Sequence, residues 1–271
     1  MRKVYFVILT WNSEKVIGDC IHSILAFQSV IAHIYVVDNG STDGTLKFVK
    51  KQENKRGHTI SVIQLEKNLG TTISRNIALK EILNIAEKDS YICILDSDTK
   101  VDEDAVHILI DELESNSQNG VVGPRMYGAD GTLQVTGRNI PTLQEKLQNV
   151  LSNRNLSEQA KQVYEAGDSS YPVGYLLSAC WMMRASLFRE IGLLDEKIFY
   201  APEDAEFCIR IWKNGFRVVY CPKAKILHHW QRLSRKKIWS KHNYEHIKGL
   251  LHLFRKYRYC FLRSKMEQLI F

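Results

Sequence analysis

The chain has 271 residues, 37 Lys and Arg against 30 Asp and Glu, a formal net charge of +7, and 45% apolar and 25% charged residues. That length admits one large α/β domain or two small ones, and the composition is ordinary for a globular chain with a sizeable core rather than a disordered one. The basic excess favours anionic partners, without separating nucleic acid from a phosphorylated small molecule or an anionic lipid face.

Arg2 and Lys3 followed by Val4 to Leu9 resemble the start of a signal peptide, but polar Thr10, Asn12, Ser13 and Glu14 follow at once. So short an apolar core reads instead as a first strand of a cytoplasmic protein, and no apolar run approaches the length of a membrane span. Buried strands are predicted at Val4–Leu9, Ile34–Val37, Ser61–Leu65 and Tyr91–Leu95, each a short apolar or β-branched run closed by turn residues. Helices are predicted at Val16–Ala26, Thr45–Lys50, Thr72–Ala86 and Asp104–Asn116, giving a doubly wound, mostly parallel sheet. Ligands of such sheets sit beyond the carboxyl ends of the strands. The polar groups there are Thr10 and Asn12, Asp38 and Asn39, Asn68, and Asp96 and Asp98, so one crevice should collect them all.

Further along, residues 121–138 are glycine-rich and read as strands or a hairpin, and 142–166 are polar and helix-prone. Tyr171–Arg184 is apolar and aromatic, and Glu203–Lys213 reads as a helix stopped by Asn214-Gly215. The six cysteines are scattered without a C-x-x-C pair, as suits free thiols in a reducing compartment. From Arg232 to Lys265 cations crowd against a lone Glu245. This stretch is either a solvated helical face or a dock on anionic lipid at the inner face of a membrane, and no nucleic-acid-binding motif accompanies it.

Two segments stand out chemically. Asp96-Ser97-Asp98 places two carboxylates at the exit of a buried strand, where they repel unless a hard cation such as Mg²⁺ or Mn²⁺ lies between them. Asp38, ending another buried strand ahead of Asn39-Gly40-Ser41-Thr42-Asp43, is placed to bond a nucleobase or ribose. Helix capping is the alternative use of these acids.

Together with the strand–Thr10-Trp11-Asn12 start, these segments in this order and spacing resemble family 2 glycosyltransferases of the GT-A fold, in particular rhamnosyltransferase-like and galactofuranosyltransferase-like members. Asn68-Leu69-Gly70 with Ser74-Arg75-Asn76, and Gly192 to Glu196 with Tyr200, Glu203-Asp204 and Arg210 to Gly215, extend the likeness over roughly residues 3–230. The resemblance implies a catalytic domain over 1–230, with a nucleotide-sugar half (1–118) and an acceptor half (119–230), followed by a basic helical extension over 231–271. It implies that Asp38, Thr10 and Asn12 hold the base, that Asp96 and Ser97 approach the ribose, and that Asn68, Gly70 and Arg75 lie against the nucleotide. Asp98 would bind the metal directly, aided by Asp96 and by His228, with His229 the fallback. Asp204 would be the base that deprotonates the acceptor, with Glu203 next to the acceptor. Apart from the resemblance, the rings of Trp181, Tyr200 and Trp230 suit stacking on sugar faces on the acceptor side, with core packing the alternative for Trp181. The expected reaction is inverting transfer from a UDP- or dTDP-linked sugar to a glycan or lipid-linked acceptor, assisted by Mg²⁺ or Mn²⁺. A sugar-phosphate nucleotidyltransferase would show a Gly-rich phosphate loop where Thr10 to Glu14 stand, and a non-catalytic binding module would not need the Asp96, Asp98 and Asp204 set.

Overall fold

The computed structural model describes residues 1–54, 56–143, 167–229 and 241–259. Trp230, Cys260, nearly all of the helix-prone stretch 142–166 and both flanks of the basic extension lie outside them. The first half alternates as its sequence pattern predicts: β1 (Arg2–Thr10), α1 (Ile17–Leu25), β2 (Val30–Asp38), α2 (Thr45–Lys50), β3 (Thr59–Gln64), α3 (Thr71–Ile85), β4 (Tyr91–Asp96), β5 (Thr99–Lys100) and α4 (Glu103–Ser115). In β1, Val4, Phe6 and Ile8 join the core on one side of the sheet while Tyr5 and Val7 join the core on the other. Burial on both faces is why this strand reads as an unbroken apolar run.

The second half comprises β6 (Asn119–Tyr127), β7 (Leu133–Gln134), β8 (Gly137–Arg138), β9 (Tyr171–Pro172), β10 (Tyr175–Leu176), β11 (Cys180–Arg184), α5 (Ala185–Ile191), α6 (Glu203–Lys213), β12 (Arg217–His228) and α7 (Lys241–Tyr257). The main sheet has the order β3-β2-β1-β4-β11-β6-β12-β5, with β7 on β6 and β9 on β12, while β8 and β10 form a separate pair. β1, β2, β3 and β4 are mutually parallel, and β12 runs parallel to β6. β11 is antiparallel to both β4 and β6, so β12 points the same way as β1, β2 and β4. The carboxyl ends of those four strands, Thr10, Asp38, Asp96 and His228, therefore share one edge. The five described cysteines are buried and unbridged.

β12 is the element that the residue pattern conceals. Its second half alternates exposed Lys223, Lys225 and Leu227 with buried Ala224, Ile226 and His228. A register shift between Cys221 and Lys225 accommodates Pro222, because a proline cannot donate to a strand ladder.

α4 is anchored at both levels of its first turn. Asp102 accepts from the Ala105 amide at 2.7 Å, a side-chain N-cap. Glu103 then accepts from the amides of Gln28, Ser29 and Val30 at 3.0, 2.6 and 2.7 Å and from the Ser29 hydroxyl at 2.9 Å, which pins the α1–β2 loop to the helix. Partial burial works against the charged form, but these four donors prevail and lower its pKa from 4.5 to about 2. A carboxyl with a depressed folded pKa contributes stability that is fully present above the unfolded value and lost as pH falls through the folded one. Glu103→Gln should therefore lower the melting temperature at neutral pH by about 2–4 °C, a loss on the order of 1 kcal/mol. The gap should close as pH falls from 4.5 toward 2. Melting curves across that range check it, and a gap independent of pH would assign the effect to shape rather than charge.

Candidate active site

At the ends of β1 and β2, Thr10 and Asp38 stand side by side in the parallel register. Both are buried, and Thr10 Oγ1 and Asp38 Oδ1 have no hydrogen-bond partner. Asp38 Oδ2 accepts from the Ser41 amide at 3.2 Å. Unpaired buried polar atoms cost free energy, so two adjacent ones at a strand exit suit a polar ligand that completes them. Asn12 is held in the left-handed region at φ 51°, and its Oδ1 accepts from the Thr42 amide at 2.8 Å, tying the β1 and β2 loops together.

Asn68 and Gly70 act through Asn39. The Asn39 amide group donates to Asn68 Oδ1 at 3.0 Å and to the Gly70 carbonyl at 3.2 Å, and its Oδ1 accepts from the Leu69 amide and the Ser74 hydroxyl. Gly70 opens α3 at φ +85° against the carbonyl of Phe199, with no room for a Cβ. Asn39 is thus the organiser of this loop, and the only sign of it in the sequence is its place beside Asp38.

The second group forms where β4 meets β12. β5 pairs antiparallel with β12, setting Thr99 opposite His228, and the His229 amide donates to the Asp98 carbonyl at 2.8 Å. One ligand atom from each of Asp96, Asp98 and His228 falls within 4.8 Å of the other two. His228 Nε2 lies 3.2 Å from Asp98 Oδ1, while its Nδ1 donates to Gln134 Oε1 at 2.7 Å. Gln134 also donates to the His228 carbonyl at 2.9 Å, so it fixes the ring and turns Nε2 toward the carboxylates. Burial raises the Asp96 pKa, and Asp98 adds to the rise against the pull of Arg75. Burial works against protonation of His228, but Asp98 and then Asp96 prevail and raise it. Two crowded carboxylates and one oriented imidazole fit a divalent cation that accepts oxygen and nitrogen ligands, such as Mn²⁺ or Mg²⁺. Ser97, between the two acids, has its hydroxyl 3.0 Å from that of Ser13.

The third group joins this centre to α6. Arg75 is only 2% exposed; its Nη2 meets Asp96 Oδ1 at 2.7 Å and its Nη1 approaches Glu203 Oε1 at 3.5 Å. Ser178 bridges that longer gap, accepting from Arg75 Nη1 at 3.0 Å and donating to Glu203 Oε1 at 2.9 Å. Arg75, expected against the nucleotide, is thus committed beneath the crevice to two acids rather than free to meet a diphosphate. Glu203, expected beside the acceptor, is 6% exposed and held from below. Burial and then Asp204 raise its pKa from 4.5 to about 8, outweighing Arg75. Asp204 is half-exposed in the first turn of α6, where the helix dipole favours an anion. Its Oδ1 accepts from the Ala205 amide at 2.8 Å. Tyr200 is 37% exposed; burial and then the charges of Glu203, Asp96 and Asp204 raise its pKa to about 12, keeping the hydroxyl a donor.

Trp181 is not an acceptor platform. It is fully buried, stacks on Phe207 with centroids 5.6 Å apart, and donates to the Leu176 carbonyl at 3.2 Å. A ring sealed on both faces presents nothing to a sugar. Trp230 lies outside the described residues.

The model of the family described as Glycosyl transferase family 2 matches residues 5–192. An N-acetylglucosaminyl-diphospho-decaprenol L-rhamnosyltransferase of Mycobacterium tuberculosis is 30% identical over 206 residues, which cover 72% of this chain and 66% of that protein. The match thus spans just under two thirds of the relative's length. A Staphylococcus aureus TarS fragment solved with UDP-GlcNAc has a TM-score of 0.63 at 20% identity, over 99% of this chain and 70% of that one. A mannosyltransferase of Pyrobaculum calidifontis solved with GDP-Man and Mn²⁺ has a TM-score of 0.64 at 16% identity, over 94% of this chain and 64% of that one. These two likenesses establish the α/β fold with its largely parallel sheet.

Asp98→Ala removes one arm of the cation set at a site open to the crevice, so the fold should survive. Mn²⁺ titrated into the parent chain should raise its melting temperature, by about 2.7 kcal/mol of stabilisation when the ion stands about 100-fold above its Kd. The variant should show little or no rise, and an equal rise in both would remove Asp98 from the metal set.

Proposed function

The chain belongs to glycosyl transferase family 2, and on that premise we propose that it transfers a sugar, with inversion and metal assistance, from a nucleoside-diphosphate sugar to an acceptor hydroxyl. The family assignment sets aside a nucleotidyltransferase and a non-catalytic binding module. What carries the reading is one buried guanidinium that joins Asp96, of the Asp96, Asp98 and His228 set, to Glu203, the chain neighbour of Asp204. A bound cation would offset the negative charge that gathers on the departing diphosphate.

The remaining roles fall to the chain's own residues. Thr10 and Asp38 offer their unpaired oxygens to the base or ribose of the donor. Asp204 takes the proton of the acceptor hydroxyl as its oxygen bonds to the anomeric carbon. The bond from that carbon to the diphosphate breaks in the same displacement, so the anomeric configuration inverts and no enzyme-bound sugar forms. Glu203, with its pKa near 8, is a poor proton acceptor at neutral pH and supports Asp204 from beneath. Tyr200 lines the crevice beside both acids. The UDP-GlcNAc and GDP-Man complexes of the structural neighbours support a nucleotide-sugar donor, here expected as UDP- or dTDP-linked, and the second supports Mn²⁺. The mycobacterial relative's name supports a lipid-linked glycan acceptor, and with it a part in polysaccharide biosynthesis. Among the described residues no helix is long and apolar enough to cross a membrane.

Asp204→Asn keeps the size and capping ability of the side chain while removing the proton acceptor. Single-turnover transfer should fall by roughly 10²–10⁴-fold, while the dissociation constant of a donor identified by metal-dependent thermal stabilisation should hardly move. Near-normal transfer would place the base elsewhere, and a large loss of donor affinity would move Asp204 to the nucleotide side.

A further inference from the structure

α7 has two contrasting faces. On the inner one Leu253 and Phe254 are buried, and Gly249 lies so close to the Ala201 carbonyl and Pro202 that no Cβ fits. His252 Nε2 and Lys256 Nζ meet Asp195 at 3.0 and 2.7 Å. Lys256 also reaches the buried Glu206 at 2.7 Å, and the Tyr257 hydroxyl donates to it at 2.8 Å. The helix is therefore clasped to the loop that leads straight into Glu203 and Asp204.

On the outer face Tyr244, Ile247 and Leu251 are 67%, 59% and 64% exposed. Elsewhere among the described residues the exposed large apolar side chains do not line up along one helix. Lys248 and Arg255 are exposed as well. At 3.6 residues per turn these five positions fall within roughly 100° of arc. No acid shares that arc; Glu245, 4.0 Å from Lys248, is only 16% exposed at its side chain.

We propose that this outer face docks on an anionic lipid bilayer. Aromatic and aliphatic side chains set among cations, with no carboxylate between them, match the boundary between acyl chains and phosphate headgroups. The centre of a protein–protein contact is instead depleted in lysine. Tyr244, Ile247 and Leu251 enter the boundary, and Lys248 and Arg255 meet lipid phosphates. Because the inner face grips Ala201 and Pro202, docking holds the acceptor half, with Asp204, at the membrane surface. The docking stands without the proposed reaction; only the delivery of a lipid-linked acceptor rests on that reading.

The full chain is floated with vesicles of phosphatidylcholine alone or mixed with phosphatidylglycerol, at low and at high salt. Binding is expected only with the anionic lipid and should weaken with salt. Tyr244→Ser/Ile247→Ser/Leu251→Ser and Lys248→Glu/Arg255→Glu should each weaken it by roughly tenfold or more, with melting temperatures unchanged because the altered side chains are exposed. Absent binding, equal binding to neutral vesicles, or binding indifferent to both variants would overturn the proposal. So would a dimer in solution that the triple variant dissociates, since a second copy would then cover this face.

Discussion

The candidate active site depends on one buried cation, the guanidinium of Arg75. A fully desolvated arginine is tolerated only where acids and acceptors surround it, and here they are Asp96, Ser178 and Glu203. Asp96 belongs to the carboxylate set at the end of β4, and Glu203 opens α6 next to Asp204. One side chain on α3 thereby ties the end of β4 to the first turn of α6, where the proposed base Asp204 follows Glu203. Burial and then Asp204 raise the Glu203 pKa against the pull of Arg75, while Asp204 itself is only half-buried, as the base of the proposed reaction requires.

The sheet supplies the remaining constraint. An antiparallel β11 inserted between β4 and β6 restores the parallel sense by the time β12 is reached, so His228 emerges at the same edge as Asp96. The short β5–β12 pairing then brings the turn after Asp96 directly onto His228. Gln134, on a two-residue strand beside β6, completes the arrangement by orienting the imidazole. The candidate cation site is thus assembled from segments more than a hundred residues apart in the chain.

The parallel half was legible in the sequence because its strands are buried on both faces and end abruptly in polar residues, as at Leu95-Asp96 and Val37-Asp38. α6 was legible to the residue, since Pro202 and Asn214-Gly215 bracket an acidic first turn. β12 was not, because Lys223 and Lys225 occupy its exposed positions and Pro222 interrupts the run. Ser178 and Gln134 were missed for a different reason. Each is a single polar residue in an apolar or glycine-rich stretch, and its importance lies in partners distant along the chain. For Trp181 the structure decides between a sugar platform and core packing in favour of the core, since ring chemistry suited to a sugar says nothing about which faces of the ring are covered. The resemblance to family 2 glycosyltransferases assigns Asp204 as base and Glu203 to the acceptor side, and the structure adds that Glu203 is buried and Asp204 half-buried.

The most direct test of this account is Arg75→Lys, which retains a positive charge but cannot hold Asp96, Ser178 and Glu203 with one planar fork. Mn²⁺ affinity by calorimetry and the single-turnover transfer rate would be measured on the same preparation, with a thermal melt to confirm folding. Losing a buried charge-assisted hydrogen bond should weaken each by about tenfold or more. If Arg75 couples the two halves, both quantities fall together. A folded variant that loses one and keeps the other intact would contradict it.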